Sequence, residues 1–147
     1  IGAPTVYYGD EAGVVGFTDP DNRRSYPWGK EDKDLIQFHH DMIRIHKKSE
    51  ALRLGSIEML GGAHHVLMYG RFTEKDKVAV VVNNRDHAVD VKVPVWRLDV
   101  PMNCHMKQLI YTYKNGYNTR EGIYRVQDGE LTLKMGPHSA MVLQYKK

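Results

Sequence analysis

"VAVVVNNRDHAVDVKV", residues 78–93, is two runs of mostly β-branched residues, 78–83 and 89–93, separated by the turn signal Asn83-Asn84. Such runs bounded by turn residues predict short β-strands rather than helix. The same signal recurs on both sides. Residues 56–60, 65–72, 108–113, 123–126, 131–135 and 140–145 are also β-branched and aromatic runs, punctuated by Asn115-Gly116 and Asp128-Gly129. Many short strands at this spacing predict a mainly β unit over 55–147, an antiparallel β-sandwich with Greek-key connections.

Residues 1–54 read differently. "PTVYYG" (4–9) has the pattern of a buried strand ended by Gly. The segment 10–32 is rich in Gly, Pro, Asp and Asn, and a loop of that length in a compact domain is usually functional or disordered. From 33 to 48 the apolar residues Leu35, Phe38, Met42 and Ile45 follow helical spacing. Asp32 suits the N-cap, and Lys47 and Lys48 suit the negative end of the helix dipole. Strand, loop and helix make one β/α unit, which needs neighbours to bury its strand.

The bulk numbers narrow the classes. At 147 residues, 41% hydrophobic and 27% charged, the composition is that of a globular chain with material for one core. A net charge of +3 carried by scattered Lys and Arg argues against a nucleic-acid footprint. No apolar run approaches the length of a membrane span, so no membrane partner is expected. One cysteine, Cys104, excludes an intramolecular disulfide and is compatible with a cytoplasmic location. The chain opens at Ile1 without an initiator Met or a signal-peptide pattern, so the expectation is a processed chain or a piece of a longer one.

Residues 2–28, "GAPTVYYGDEAGVVGFTDPDNRRSYPW", carry the chemistry. They resemble the end of the catalytic barrel in the α-amylase family of glycoside hydrolases, at the eighth strand and the loop that follows. Within the family the resemblance is to the neopullulanase, cyclomaltodextrinase and maltogenic amylase group. Its pattern is matched by Gly2, Pro4, Tyr7, Tyr8, Gly9, Asp10, Glu11, Asp19 to Asp21, Arg23, Arg24, Pro27 and Trp28. The likeness continues through 38–55 and, more weakly, over the sandwich, which resembles the family's C-terminal domain C. It implies residues 1–54 as the final strand, active-site loop and helix of an incomplete (β/α)8 barrel, followed by domain C at 55–147.

A second stretch, "VWRLDVP" (95–101), looks like the segment that bears the family's nucleophilic aspartate. Its position excludes that role. The family's nucleophile precedes the eighth-strand motif, whereas Asp99 follows it, and Pro101 suits a loop better than a barrel strand. Asp99 is therefore expected to be a chance match, with Trp96 packing the sandwich. Retaining glycosidases need two carboxyl groups about 5 Å apart. The resemblance places those groups upstream of Ile1, so no catalytic residue is expected in this chain.

Active sites of such barrels are built by loops at the C-terminal ends of the strands. The resemblance implies substrate-binding roles for Asp19 and Arg23, whose carboxylate and guanidinium suit vicinal sugar hydroxyls. The alternative is an ion pair that only shapes the loop. Gly2, Pro4, Tyr8, Gly9, Asp10, Glu11 and Trp28 are expected to be structural parts of the motif. Trp28 and Tyr26 beside Pro27 read as loop anchors, and Phe17 as a weaker candidate sugar platform.

His39-His40, His64-His65 and Cys104-His105 lack the spacing of a metal site, since on a strand His64 and His65 would face opposite sides. Asp19, Asp21 and Asn22 lack the pattern of a calcium loop. No cofactor is therefore expected, although calcium in a longer parent stays open. The expected function is part of an α-glucan hydrolase, retaining at α-1,4 bonds with α-1,6 bonds left open. Its partner is an α-glucan bound by the complete barrel, and a homo-oligomer stays open. The alternative is a non-catalytic carbohydrate-binding or structural module.

Overall fold

The computed structural model describes residues 2–147. The chain forms two compact units that divide between Lys48 and Ser49.

The second unit is an antiparallel β-sandwich of nine strands: β1 (Ser56–Ala63), β2 (Val66–Phe72), β3 (Asp76–Asn83), β4 (Val89–Pro94), β5 (Cys104–Tyr113), β6 (Gly116–Asn118), β7 (Ile123–Val126), β8 (Glu130–Met135) and β9 (Ser139–Lys146). The larger sheet runs β1-β2-β3-β9-β5-β6, with β7 paired to the first half of β5. The smaller sheet is the pair β4-β8. The chain crosses between sheets from β3 to β4, from β4 to β5, and on either side of β8, as a Greek-key sandwich requires.

Both strand runs of the 78–93 segment form, as β3 and β4, and they lie in different sheets. On β4 and β8 burial alternates, so that Val91, Val93, Leu131, Leu133 and Met135 point inward. They meet Ala79, Val81, Met106, Met141 and Leu143 of the larger sheet in one core. Strand β3 is buried along nearly its whole length. The short helix α2 (Glu50–Leu54) lies against β2 and β3.

The boundary between the units therefore falls before α2, rather than at 54–55. Ser49 caps α2, its Oγ accepting from Leu52 N at 3.2 Å, and donates to buried Asp76 at 2.6 Å. Asp76 also accepts from Ala51 N at 3.1 Å and from Gln144 Nε2 at 2.6 Å. Residues 49–54 are thus held by the sandwich through one carboxylate. Asn83 closes the other end of β3, donating to His87 O and Gly136 O at 3.0 and 2.6 Å.

The first unit contains helix α1 (Lys33–Lys48) and a 3₁₀ turn, Asp10–Ala12. Asp32 caps α1 as predicted, accepting from Leu35 N at 2.9 Å. The strand read from "PTVYYG" does not form: residues 4–7 have no regular structure and lie exposed. A strand exists only where a partner takes its backbone groups, and among the described residues no ladder includes 4–9. No residue of α1 is fully buried, so its apolar stripe is only partly covered. No helix is long and apolar enough to cross a membrane.

Candidate functional site

The loop 10–32 is built from backbone turns rather than from a core. Tyr7 and Asp10 bond each other reciprocally, Tyr7 N donating to Asp10 Oδ2 at 3.2 Å and Asp10 N to Tyr7 O at 3.0 Å. Gly9 has φ 86°, and a Cβ on it would stand 2.8 Å from Val14, so the motif requires glycine there. Asp10 and Gly9 are therefore turn-forming groups. Pro4 and Tyr8 are exposed, as is Gly2 at φ 96° with open space about it.

Beyond Val15 the chain folds back on itself. A Cβ on Gly16 would lie 2.5 Å from the Asn22 Cα, so two backbone segments touch there. Thr18 O accepts from Asp21 N at 2.8 Å, and Arg23 N donates to Pro20 O at 3.1 Å. This tight turn brings Asp19 and Arg23 together. Arg23 Nε and Nη2 meet the two Asp19 carboxylate oxygens at 3.2 and 3.3 Å, a bidentate pair with both side chains well exposed. Arg24 and Asp21 form a second fork at 2.8–3.0 Å. Arg24 holds the Asp21 carboxyl below the usual carboxylate range, mainly through that side-chain bond.

Asp19 and Asp21 thus each face a guanidinium. Among the described residues no group of three or more His, Cys, Asp or Glu is placed to hold a metal ion. His64 and His65 differ from their expected arrangement. They sit in the turn between β1 and β2, not on a strand, and their rings meet edge to face at 4.3 Å. His39 Nδ1 is bonded to Leu35 O at 2.9 Å, along its own helix.

Four aromatic residues of this unit, Tyr7, Tyr8, Phe17 and Trp28, are exposed, while Tyr26 and Phe38 are half-buried. Phe17 is 90% exposed and Trp28 82%. The Trp28 ring lies tilted over that of Tyr26 at 4.6 Å, and most of its surface is open. Burial, then the negative charges of Glu11 and Glu31, pushes the Tyr26 hydroxyl up. Glu11 lines a hollow of about 330 Å³ with Val6, Ile36, His39, His40 and Ile43.

In the sandwich unit, "VWRLDVP" is not a strand. Val95–Leu98 is a 3₁₀ turn, and Asp99 terminates it in the left-handed region at φ 59°. Leu98 and Val95 enter the core, but Trp96 does not pack as expected and remains 54% exposed. Its neighbours form a second hollow, of about 420 Å³, lined by Lys77, Trp96, Asp99, Pro101, Met102 and Tyr145 among others. The usable signal was Pro94, the last residue of β4, and Pro101, which bracket the segment.

No protein-family model matches the chain. It is similar to an amylopullulanase of Thermoanaerobacter thermohydrosulfuricus, 31% identical over 97% of this chain and 10% of that protein. It is also similar to neopullulanase 2 of Thermoactinomyces vulgaris, 29% identical over 97% of this chain and 23% of that protein. Among solved structures, a debranching enzyme of Nostoc punctiforme superposes with a TM-score of 0.77 at 28% identity, covering 98% of this chain and 28% of that one. The chain thus spans a quarter or less of the length of these two curated relatives. In sequence and in fold, the chain is related to the α-amylase family of glycoside hydrolases, among them amylopullulanases, cyclomaltodextrinases and neopullulanases.

Proposed function

We propose that this chain is the C-terminal portion of an enzyme that hydrolyses α-glucans by a retaining mechanism. In this reading residues 1–48 belong to a (β/α)8 barrel and the sandwich unit, residues 49–147, is domain C. The acid/base and nucleophile carboxyls belong to the remainder of the longer polypeptide. Asp19 and Arg23 bind a sugar of the substrate through the free lone pairs and N–H groups of their exposed fork.

The observation that carries this is the alignment of 97% of the chain with 10% of a far longer amylopullulanase. It joins the Asp19–Arg23 fork, held on a loop rather than in a core. The unpaired "PTVYYG" segment and the partly covered α1 stripe agree with it, because both need further strands and helices beside them.

The test is to express the longer polypeptide and the 147-residue chain side by side and to measure sugar release from pullulan, cyclodextrin and maltooligosaccharides. Activity in the longer form alone is expected. Stoichiometric release by the chain itself, abolished by Asp99→Asn, would overturn the assignment of the chemistry to residues outside it.

A further inference from the structure

The hollow beside Trp96 combines three features that select one kind of ligand. The first is charge. Lys77 is almost fully buried and Asp99 almost fully exposed, and their Nζ and Oδ2 atoms stand 3.8 Å apart. Glu74 and Lys147 also line the hollow, so two acidic and two basic side chains offset one another and it favours neither an anion nor a cation. The second is that distance. It is an ion-pair separation but too long for a direct hydrogen bond. Lys77 spends two of its three protons on Thr73 O and Glu74 O, at 2.6 and 3.0 Å. A hydroxyl in the gap can accept the third proton and donate its own to Asp99. The third feature is the open indole of Trp96 beside Pro101 and Met102, an apolar platform next to the polar pair. A flat apolar face joined to vicinal hydroxyls describes a pyranose ring.

The backbone supports this arrangement. Trp96 N donates to Gly129 O at 3.0 Å, and Gly129 N donates to Met102 O at 2.8 Å, so one glycine ties both walls of the hollow. A Cβ on Gly129, at φ 79°, would stand 2.8 Å from the Trp96 Cβ. The left-handed Asp99 then turns its carboxylate outward from a fixed point.

We infer that the Trp96–Asp99–Lys77 hollow is a carbohydrate-binding site of the sandwich, taking a neutral α-glucan chain by stacking on Trp96 and by a hydroxyl shared between Lys77 and Asp99. The choice of an α-glucan over other neutral polyols rests on the proposed function.

The chain has two tryptophans, so Trp28→Phe leaves Trp96 as its only indole reporter. Titrating that variant with maltoheptaose should give a saturable change in Trp96 emission. Binding of maltoheptaose by calorimetry should weaken about tenfold or more in Trp96→Ala, the loss of one central aromatic contact. That variant retains the Cβ and the backbone bond to Gly129. Asp99→Asn, which tolerates the left-handed conformation, should weaken binding about fivefold while leaving the melting temperature in place.

Absence of saturable binding, or binding that survives Trp96→Ala, would overturn the site. The hydrolysis assay on the longer polypeptide decides the other reading separately. An inactive longer form with a chain that still binds maltoheptaose would remove the hydrolase and keep the site. An active longer form with a chain that does not bind would do the reverse.

Discussion

Ser49 donates its hydroxyl to Asp76 at 2.6 Å across 27 positions of sequence, and so fastens the start of α2 to the start of β3. The same carboxylate takes the backbone N–H of Ala51 and the side-chain amide of Gln144. Asp76 is 2% exposed, so none of these donors has ready access to water in its place. Removing the carboxylate in Asp76→Ala strands all three, at a cost on the order of 3 kcal/mol. Asp76→Asn keeps one acceptor and should cost less, and Ser49→Ala should lose about 1 kcal/mol as a missing cap. Urea unfolding of the 147-residue chain followed by far-ultraviolet circular dichroism gives the order. An Asp76→Ala midpoint equal to that of the parent chain would refute this role.

Gly70 and Leu98 make the second prediction. Any Cβ at Gly70 would fall inside the Leu98 side chain, which is fully buried. With Val95, Leu98 carries the 95–98 turn into the core, so it has nowhere to retreat. Gly70→Ala should destabilise the sandwich by about 1–3 kcal/mol, the usual cost of overfilling a core. Adding Leu98→Ala to that variant relieves the clash. The double variant should therefore be more stable than the sum of the two single changes, in a thermal-denaturation cycle.

Much of this architecture is legible in the sequence because burial and turn chemistry leave local marks. The β-branched runs and the Asp128-Gly129 turn mark the strands, and both turn residues have positive φ, at 51° and 79°. Helix α1 has its stripe and its Asp32 cap. Strand β6 escaped because Gly116–Asn118 is three residues long and has no run to show. Helix α2 escaped because five residues carry too little periodicity, and its cap is completed by Asp76, far away in sequence. The 4–9 segment failed for the opposite reason: its local signal is strong, but the ladder it needs is absent among the described residues. At the candidate loop the resemblance, not the spacing, singled out Asp19 and Arg23, and the turn pairs the two with each other. The hollow at Trp96 was not legible, since it joins β3, the 95–102 segment and the end of β9.

The fork between Asp21 and Arg24 gives a pH prediction. Arg24 lowers the Asp21 carboxyl, chiefly by hydrogen bonding, and the N–H of Phe17 adds a smaller pull at 3.3 Å. A carboxyl depressed in the folded chain contributes stability that is complete above its unfolded value, near about 3.9, and is lost as pH falls through the lower folded value. The loop turn at 16–24 should therefore hold through mild acid and loosen only below that range. A carboxyl-detected nuclear magnetic resonance titration should find the Asp21 midpoint lower than that of an unperturbed aspartate. Arg24→Gln should move it upward, and an unmoved midpoint would separate the turn from this ion pair.

Asp19 and Arg23 provide the test closest to function. Their fork is exposed on both sides, and such pairs contribute about 0–1 kcal/mol to stability. Asp19→Ala should therefore leave the melting temperature of the chain within a degree or two of the parent, roughly the limit of a surface change. If the fork grips a sugar, the same substitution in the longer polypeptide should reduce kcat/KM on maltooligosaccharides about tenfold or more, since it removes charge-assisted bonds to the substrate. Arg23→Lys keeps the charge but not the planar fork, so it should lose most of the same activity. Two outcomes are informative. Lost turnover with an unchanged melt makes the fork a substrate clamp. Unchanged turnover in both variants makes it only a staple of the loop, and the binding role assigned to these two residues then falls.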